Sequence, residues 1–397
     1  MSEPGQRVLF VNPAAERGGG EVILLNLLRY LPPTMRAEVV LLSRGPLAAE
    51  LRARGVRTSV LPAGRFRQPW HLLRTLWHLA HLERQRGVTL VDSAGAKGHM
   101  YGGLSALLAG IPAVWRLQDL PTPHDPWTHL ASVVPTAGIA ALSRASLDAY
   151  AQARRLPAYS VVVYPGVEYT SVAMSRGQDA EAVSSVRAEL GVPVGSTVVT
   201  MVGRLQRWKG QHVFLAAAAR VLMERLDVHF LIVGGTMFSL EPAYEQELRD
   251  LVELNGMTEQ VTFTGQRDDV ARLVSASDVL VHASITPEAF GQVIVEGMAL
   301  GKAVLATAAG GPLEIITDGV DGVLVPPDDP AALSAALVSL LDDPPRRIRL
   351  GTAAQRTVQD RFTVETMAAE FAHFYDDVLG GRSRADGSAD RAADVPA

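Results

Sequence analysis

Two acids eight positions apart, Glu288 and Glu296, stand in the stretch TPEAFGQVIVEGMALGK, and Glu296 falls inside a run that reads as an apolar helix. An unpaired buried carboxylate is expensive, so it either changes protonation state or meets strong donors. Paired carboxylates suggest glycoside hydrolysis. Eight residues on one helix, however, separate the backbones by about 12 Å and rotate them by about 80°. A retaining hydrolase needs its carboxyl groups about 5–5.5 Å apart, whereas an inverting pair at about 6.5–9.5 Å stays open. A second arrangement places Glu288 in a loop and starts the helix near Phe290 or Gly291. The free N–H groups of that start can receive an anion or sugar hydroxyls. Glu296 then sits in the second turn, where a vicinal diol can donate two hydrogen bonds, each about 1.5–3 kcal/mol to a charged acceptor. A structural ion pair with an arginine is the plain alternative.

Three further constellations could hold anions. GRLQRWKG follows the apolar run TVVTMV, so Gly203 can turn the chain tightly while Arg204 and Lys209 supply a fork and a point charge for phosphate oxygens. RGGGEVILLNLL places Gly18 and Gly19 at the start of a helix, again an anion site, although a tight strand-to-helix turn is the simpler use. It is not a dinucleotide fingerprint, because a G-x-G-x-x-G begun at Gly18 needs glycine where Ile23 stands. In ATAAGGPLEIITDG, Pro312 suits the first position of a helix behind Gly310 and Gly311. No D-x-D, H-E-x-x-H or G-x-S-x-G occurs, GMALGKA lacks P-loop spacing, and the ten histidines suggest no metal cluster.

The elements that must position these residues follow an alternating pattern. Short β-branched runs such as RVLFVNP, VTLVDSAG and PAVWRLQD alternate with helix-length segments, as in parallel sheets covered by crossover helices. The series breaks between about Glu168 and Ser196 and resumes with TVVTMVGRL, VHFLIVGG and DVLVHAS. The expected class is α/β with two doubly wound, Rossmann-like parallel-sheet domains, each binding ligands beyond the carboxyl ends of its strands. We place an N-terminal domain at 1–170, a C-terminal domain at 171–362, a closing helix at 363–379 and a disordered tail at 380–397. The segment from about Trp70 to Arg86 carries indoles and leucines flanked by Arg and His, which suits a membrane surface; we read it instead as a helix packing one face on a sheet.

Composition narrows the classes. A net charge of −5 gives no general pull toward nucleic acid, and the lack of cysteine excludes disulfides, thiol nucleophiles and Cys-ligated zinc. No secretory signal and no apolar run of about 18 residues is found, so we expect a cytoplasmic chain without a membrane span, with peripheral contact at the inner membrane face left open.

The C-terminal half resembles the retaining group 1 (family four) glycosyltransferases of the GT-B fold. GRLQRWKG, VTFTGQRDDV, the long stretch from SDVLVHAS to EIITDG, and GVLVPPDD occur in family order and spacing, with RGGGE and VVVYPGVE as N-terminal matches. The resemblance implies two Rossmann-like domains facing a central cleft. It also implies transfer from a nucleoside-diphosphate sugar, UDP-linked by preference with GDP-mannose as the alternative, to a hydroxyl acceptor with retention and no obligatory cofactor or metal. By the same resemblance Arg204 and Lys209 bind the donor diphosphate, Glu288 the donor sugar, and Glu296 the ribose hydroxyls. Backbone groups of Phe290, Gly291 and Gln292 hold the sugar and β-phosphate, Gly265, Gln266 and Arg267 line the base, and Gly18 and Gly19 close over the diphosphate. Many members carry a histidine where this chain has Gln118, which leaves Asp119, Lys97 and His99 as acceptor-site candidates. The acceptor class spans small molecules, natural products and lipid- or glycan-linked sugars. A catalytically silent GT-B partner protein and a nicotinamide-dependent oxidoreductase are the alternatives from other classes.

Overall fold

The computed structural model describes residues 6–16, 18–63, 69–121, 126–168, 180–236 and 243–381. The tail expected to be disordered lies outside these residues from position 382 on. The chain divides into two compact units, one of residues 1–166 and 364–397, the other of residues 167–363.

In the first unit, strands β1 (Arg7–Asn12), β2 (Arg36–Leu41), β3 (Arg57–Val60), β4 (Leu90–Ala94), β5 (Ala113–Leu117), β6 (Gly138–Ala141) and β7 (Tyr159–Val162) form a parallel sheet in the order β3-β2-β1-β4-β5-β6-β7. Between them run α1 (Gly19–Tyr30), α2 (Leu47–Ala53), α3 (Pro69–Arg86), α4 (Gly95–Ala109), α5 (Pro126–Ala131) and α6 (Arg144–Ala153). Buried strands read as continuous apolar runs because both faces are covered. Val8 and Phe10 of β1 pack in one cluster with Leu24 and Leu27 of α1, whereas Leu9 and Val11 pack in another with Leu76 and Leu79 of α3. So α3 does lay one face on the sheet, as its pattern suggested.

The second unit contains α7 (Ala180–Glu189), β8 (Thr197–Val202), a 3₁₀ turn at Arg207–Lys209, α8 (Gln211–Leu222), β9 (Val228–Val233), α9 (Tyr244–Leu254), β10 (Val261–Gly265), α10 (Val270–Ser275) and β11 (Val279–His282). It continues through α11 (Gln292–Ala299), β12 (Ala303–Thr307), α12 (Pro312–Ile315), β13 (Val323–Val325), α13 (Pro330–Asp342) and α14 (Pro344–Arg361). Its parallel sheet has the order β10-β9-β8-β11-β12-β13. In both sheets the strand order reverses once, between β1 and β4 and between β8 and β11, and ligands of doubly wound sheets bind beyond such a reversal.

The closing helix, α15 (Val364–Gly380), is part of the first unit rather than a separate piece. Phe371, Phe374 and Tyr375 enter the cluster that holds Val8 and Phe10. The Tyr375 hydroxyl donates to Asp92 Oδ2 at 2.7 Å, and Asp92 Oδ1 accepts from Arg116 Nε at 3.1 Å. Both charged side chains are fully buried, with the Arg116 guanidinium over the Phe10 ring. A buried pair is tolerable only when its remaining lone pairs are met, and Tyr375 meets one of them.

Candidate active site

The loops after β8 and β11, neighbours at the reversal, carry the acids and cations of the second unit. Gly210 ties the two loops together. Its φ of +77° lies in the left-handed region, and a Cβ there would stand 1.9 Å from the Ala283 carbonyl oxygen, so only glycine allows this approach. Beside it Ile285 N donates to Trp208 O at 2.9 Å. This seam carries Lys209 to Glu288: Nζ lies 2.5 Å from Oε1.

Glu288 is in a loop, and α11 begins at Gln292 behind Gly291, close to the expected start. Its backbone is clasped from the other side by the loop after β12, where Gly311 N donates to Glu288 O at 2.8 Å. The other carboxylate oxygen, Oε2, lies 2.6 Å from His282 Nε2 and accepts from Ser284 Oγ at 2.9 Å. Thr307 Oγ1 donates to Ser284 O at 2.8 Å. Burial pushes this carboxyl up, but Lys209 and His282 outweigh it and hold it well below the usual carboxylate range. Glu288 is therefore an ionised acceptor across ordinary pH, pinned from three directions.

Glu296 differs. It sits one turn into α11, half-buried, with the Gln292 side chain as its hydrogen-bond partner. Burial pushes its carboxyl up to about 7, the Gln292 bond pulling the other way. No arginine is paired with it among the described residues, which removes the structural ion pair offered as the alternative. The guanidinium of Arg204, on the loop after β8, likewise forms no ion pair among the described residues, while its carbonyl accepts from Gln211 Nε2 at 2.7 Å. Lys209 and ionised Glu288 are thus in contact, while Arg204 stands on the same loop as Lys209 and the under-partnered Glu296 on the helix that follows Glu288.

The remaining expected residues are placed less uniformly. Gly203 follows β8 next to the Lys209 stem, and Phe290 is anchored by an edge-on contact with Phe362. Gly265 and Gln266 lie at the end of β10, two strands from β8. Arg267 is taken up by Asp269 at 2.7 Å and Glu189 at 2.9 Å, so any contact to a base there falls to the backbone. In the first unit Gly18 precedes α1 and Gly19 borders open space, while Gly20 abuts the Gln118 side chain. Asp119 is exposed at the end of β5 and its Oδ2 approaches Gly95 at the start of α4, where Lys97 also stands. His99 must be set apart from that group. It is fully buried, stacked on Trp115 at 4.8 Å with Ser93 Oγ 2.8 Å from Nδ1, and burial pushes its imidazole down to about 3. It is a packing residue with no surface to offer an acceptor. Among the described residues no cluster of three or more His, Cys, Asp or Glu could hold a metal ion.

Two site residues escaped the sequence reading, His282 and Ser284. The available signal was their place: DVLVHAS ends a strand at the ligand-bearing edge, and a polar residue there is positioned for chemistry.

Comparison with known proteins bears on this geometry. Residues 184–357 match the family model described as glycosyl transferases group 1, and residues 17–170 match glycosyltransferase family 4. The D-inositol 3-phosphate glycosyltransferase of Corynebacterium kroppenstedtii is 37% identical over 227 residues, 56% of this chain and 49% of that protein. The enzyme of the same name from Streptomyces avermitilis is 34% identical over 221 residues, 54% of this chain and 46% of that protein. The chain thus spans about half the length of the curated relatives it matches. Among solved structures, Anabaena HepE in complex with UDP-glucose superposes with a TM-score of 0.84 at 27% identity, covering 94% of this chain and 99% of that one. The two parallel-sheet units are those of the GT-B fold. The chain belongs to the group 1 glycosyltransferases.

Proposed function

We propose that the protein transfers a sugar from a nucleoside-diphosphate sugar, UDP-linked by preference, to an acceptor hydroxyl with retention at the anomeric carbon. The observation that carries this is the contact of Lys209 with ionised Glu288, between the loop that also bears Arg204 and the loop that leads into α11 with its under-partnered Glu296. Arg204 and Lys209 match a departing diphosphate, whose growing charge is the main thing such a site must stabilise. Glu288 is fixed as an acceptor for donor-sugar hydroxyls, and Glu296 as the acceptor for a ribose diol. The Lys209–Glu288 contact is broken or shared when phosphate arrives, because the lysine has no other anionic partner in the described residues. The complex of HepE with UDP-glucose supports UDP as the base-bearing half, and the names of the curated relatives make a phosphorylated polyol the first acceptor to try. Lys97 and Asp119 are the acceptor-side residues of choice.

Thermal-shift measurements with UDP-glucose, GDP-mannose, ADP-glucose and NAD test the donor class. A ligand at 100 times its Kd stabilises by about 2.7 kcal/mol. Stabilisation by NAD alone would overturn the transferase reading. With the bound donor, Lys209→Ala is expected to lower kcat by about 10²–10³ with a smaller change in KM. A donor that binds but is neither transferred nor hydrolysed across an acceptor panel would favour a silent partner protein.

A further inference from the structure

The outward face of α3 has no role in the site described above. Trp70, Leu73 and Trp77 are 81%, 56% and 61% exposed, and their spacing places them along one stripe of the helix. Scattered exposed hydrophobics are ordinary; two indoles and a leucine on consecutive turns are not. The Trp77 indole lies flat on His81, with centroids 5.2 Å apart and planes 5° from parallel, so the ring is seated on the surface. Arg74 and Arg84 are exposed on the same side. The single acid of α3, Glu83, is turned fully inward and accepts from Ser105 Oγ at 2.6 Å. In a chain of net charge −5 this face therefore carries exposed arginines and no acid of α3 itself. At its far end Arg84 Nη2 donates to Leu108 O, which brings exposed Leu107 and Leu108 of α4 beside it. The stripe from position 70 to position 84 is about 21 Å long, with its inward side, Leu76, Leu79 and Ala80, already buried in the core.

We propose that this face of α3 docks the protein on an anionic lipid bilayer. A helix lying in the interface plane buries its apolar ring edges about 5–10 Å deep while arginines meet lipid phosphates. Indoles suit that depth because they join an apolar body to a polar N–H. Charge complementarity selects the lipid surface over a second copy of the chain, since two such faces would set arginine against arginine. No described helix is long and apolar enough to cross a membrane, so the contact is peripheral.

The test is sedimentation of the full-length protein with phosphatidylcholine vesicles, with and without phosphatidylglycerol, read alongside tryptophan emission. Binding is expected only with the anionic lipid, and is expected to fall as salt rises from about 0.1 M to about 1 M and the screening length shrinks to about 3 Å. Trp70→Ser with Trp77→Ser should lower the partition coefficient about tenfold or more. Arg74→Gln alone should lower it about fivefold, and keeps the test valid if the tryptophan variant misfolds. Donor turnover in the absence of vesicles should be unchanged in each. Absence of binding to anionic vesicles overturns the proposal. So does a concentration-dependent dimer, seen by light scattering, that the tryptophan substitutions abolish without any effect on lipid binding.

Discussion

Glu296 allows the sharpest test, because its unliganded carboxyl is pushed up to about 7 by burial. If a ribose diol donates to the ionised form only, the apparent Kd for donor is multiplied by 1 + 10^(pKa − pH). Between pH 8 and pH 6 that factor rises about tenfold. UDP-glucose is the probe of choice, since its diphosphate has no group titrating near neutrality, unlike free UDP. Titration calorimetry in two buffers of different ionisation enthalpy should show most of a proton released at pH 6 and little at pH 8. Glu296→Gln should bind more weakly and show a flattened profile. The same raised pKa makes a stability prediction of known sign. A carboxyl raised on folding contributes stability that is present below its unfolded pKa and lost as pH rises through about 7. The shift from 4.5 corresponds to a ceiling of about 3 kcal/mol, and the carboxyl's partial exposure trims this to about 1–3 kcal/mol. Ligand-free Glu296→Gln should therefore melt higher than the parent at pH 8, with the gap closing toward pH 5. A pH-independent Kd in the parent, or an identical profile in the Gln variant, would refute the reasoning.

Two other substitutions probe the frame of the site. Gly210→Ala places a Cβ 1.9 Å from a backbone oxygen and demands a positive φ, so it should cost about 2 kcal/mol or more in urea unfolding and lower turnover by displacing Lys209. Tyr375→Phe leaves Asp92 Oδ2 buried without its donor and should cost about 1–3 kcal/mol; an unchanged midpoint would mean that the closing helix is held by its apolar contacts alone.

Fold class was legible because apolar strands and helical segments alternate over most of the chain, and alternation is a local property that neighbouring residues encode. The placement of the closing helix was not. Its amphipathic pattern shows that one face is buried but not which sheet receives it; Tyr375 finds Asp92 across 283 positions. At the site, residue types and chain order point to Arg204, Lys209, Glu288 and Glu296, whereas His282, a lone strand-end histidine, has no distinguishing spacing. His99 misleads for the opposite reason: a histidine near a glycine-rich helix start looks available in the sequence, but Trp115 covers it in the fold.

By itself, the sequence determined which groups were on hand: two cations after one strand, a carboxylate before a helix and another within it, on chain segments of strand–helix alternation. Tertiary structure decided their partners. Only the packing of β8 beside β11, with Gly210 pressed on Ala283, brings Lys209 within 2.5 Å of a glutamate 79 positions away and gives that glutamate His282 and Ser284 as further partners. Only the environment of α11 leaves Glu296 poised near neutrality while Glu288 stays charged. Charge and burial depend on what lies within a few ångströms in space, and local pattern carries no record of that.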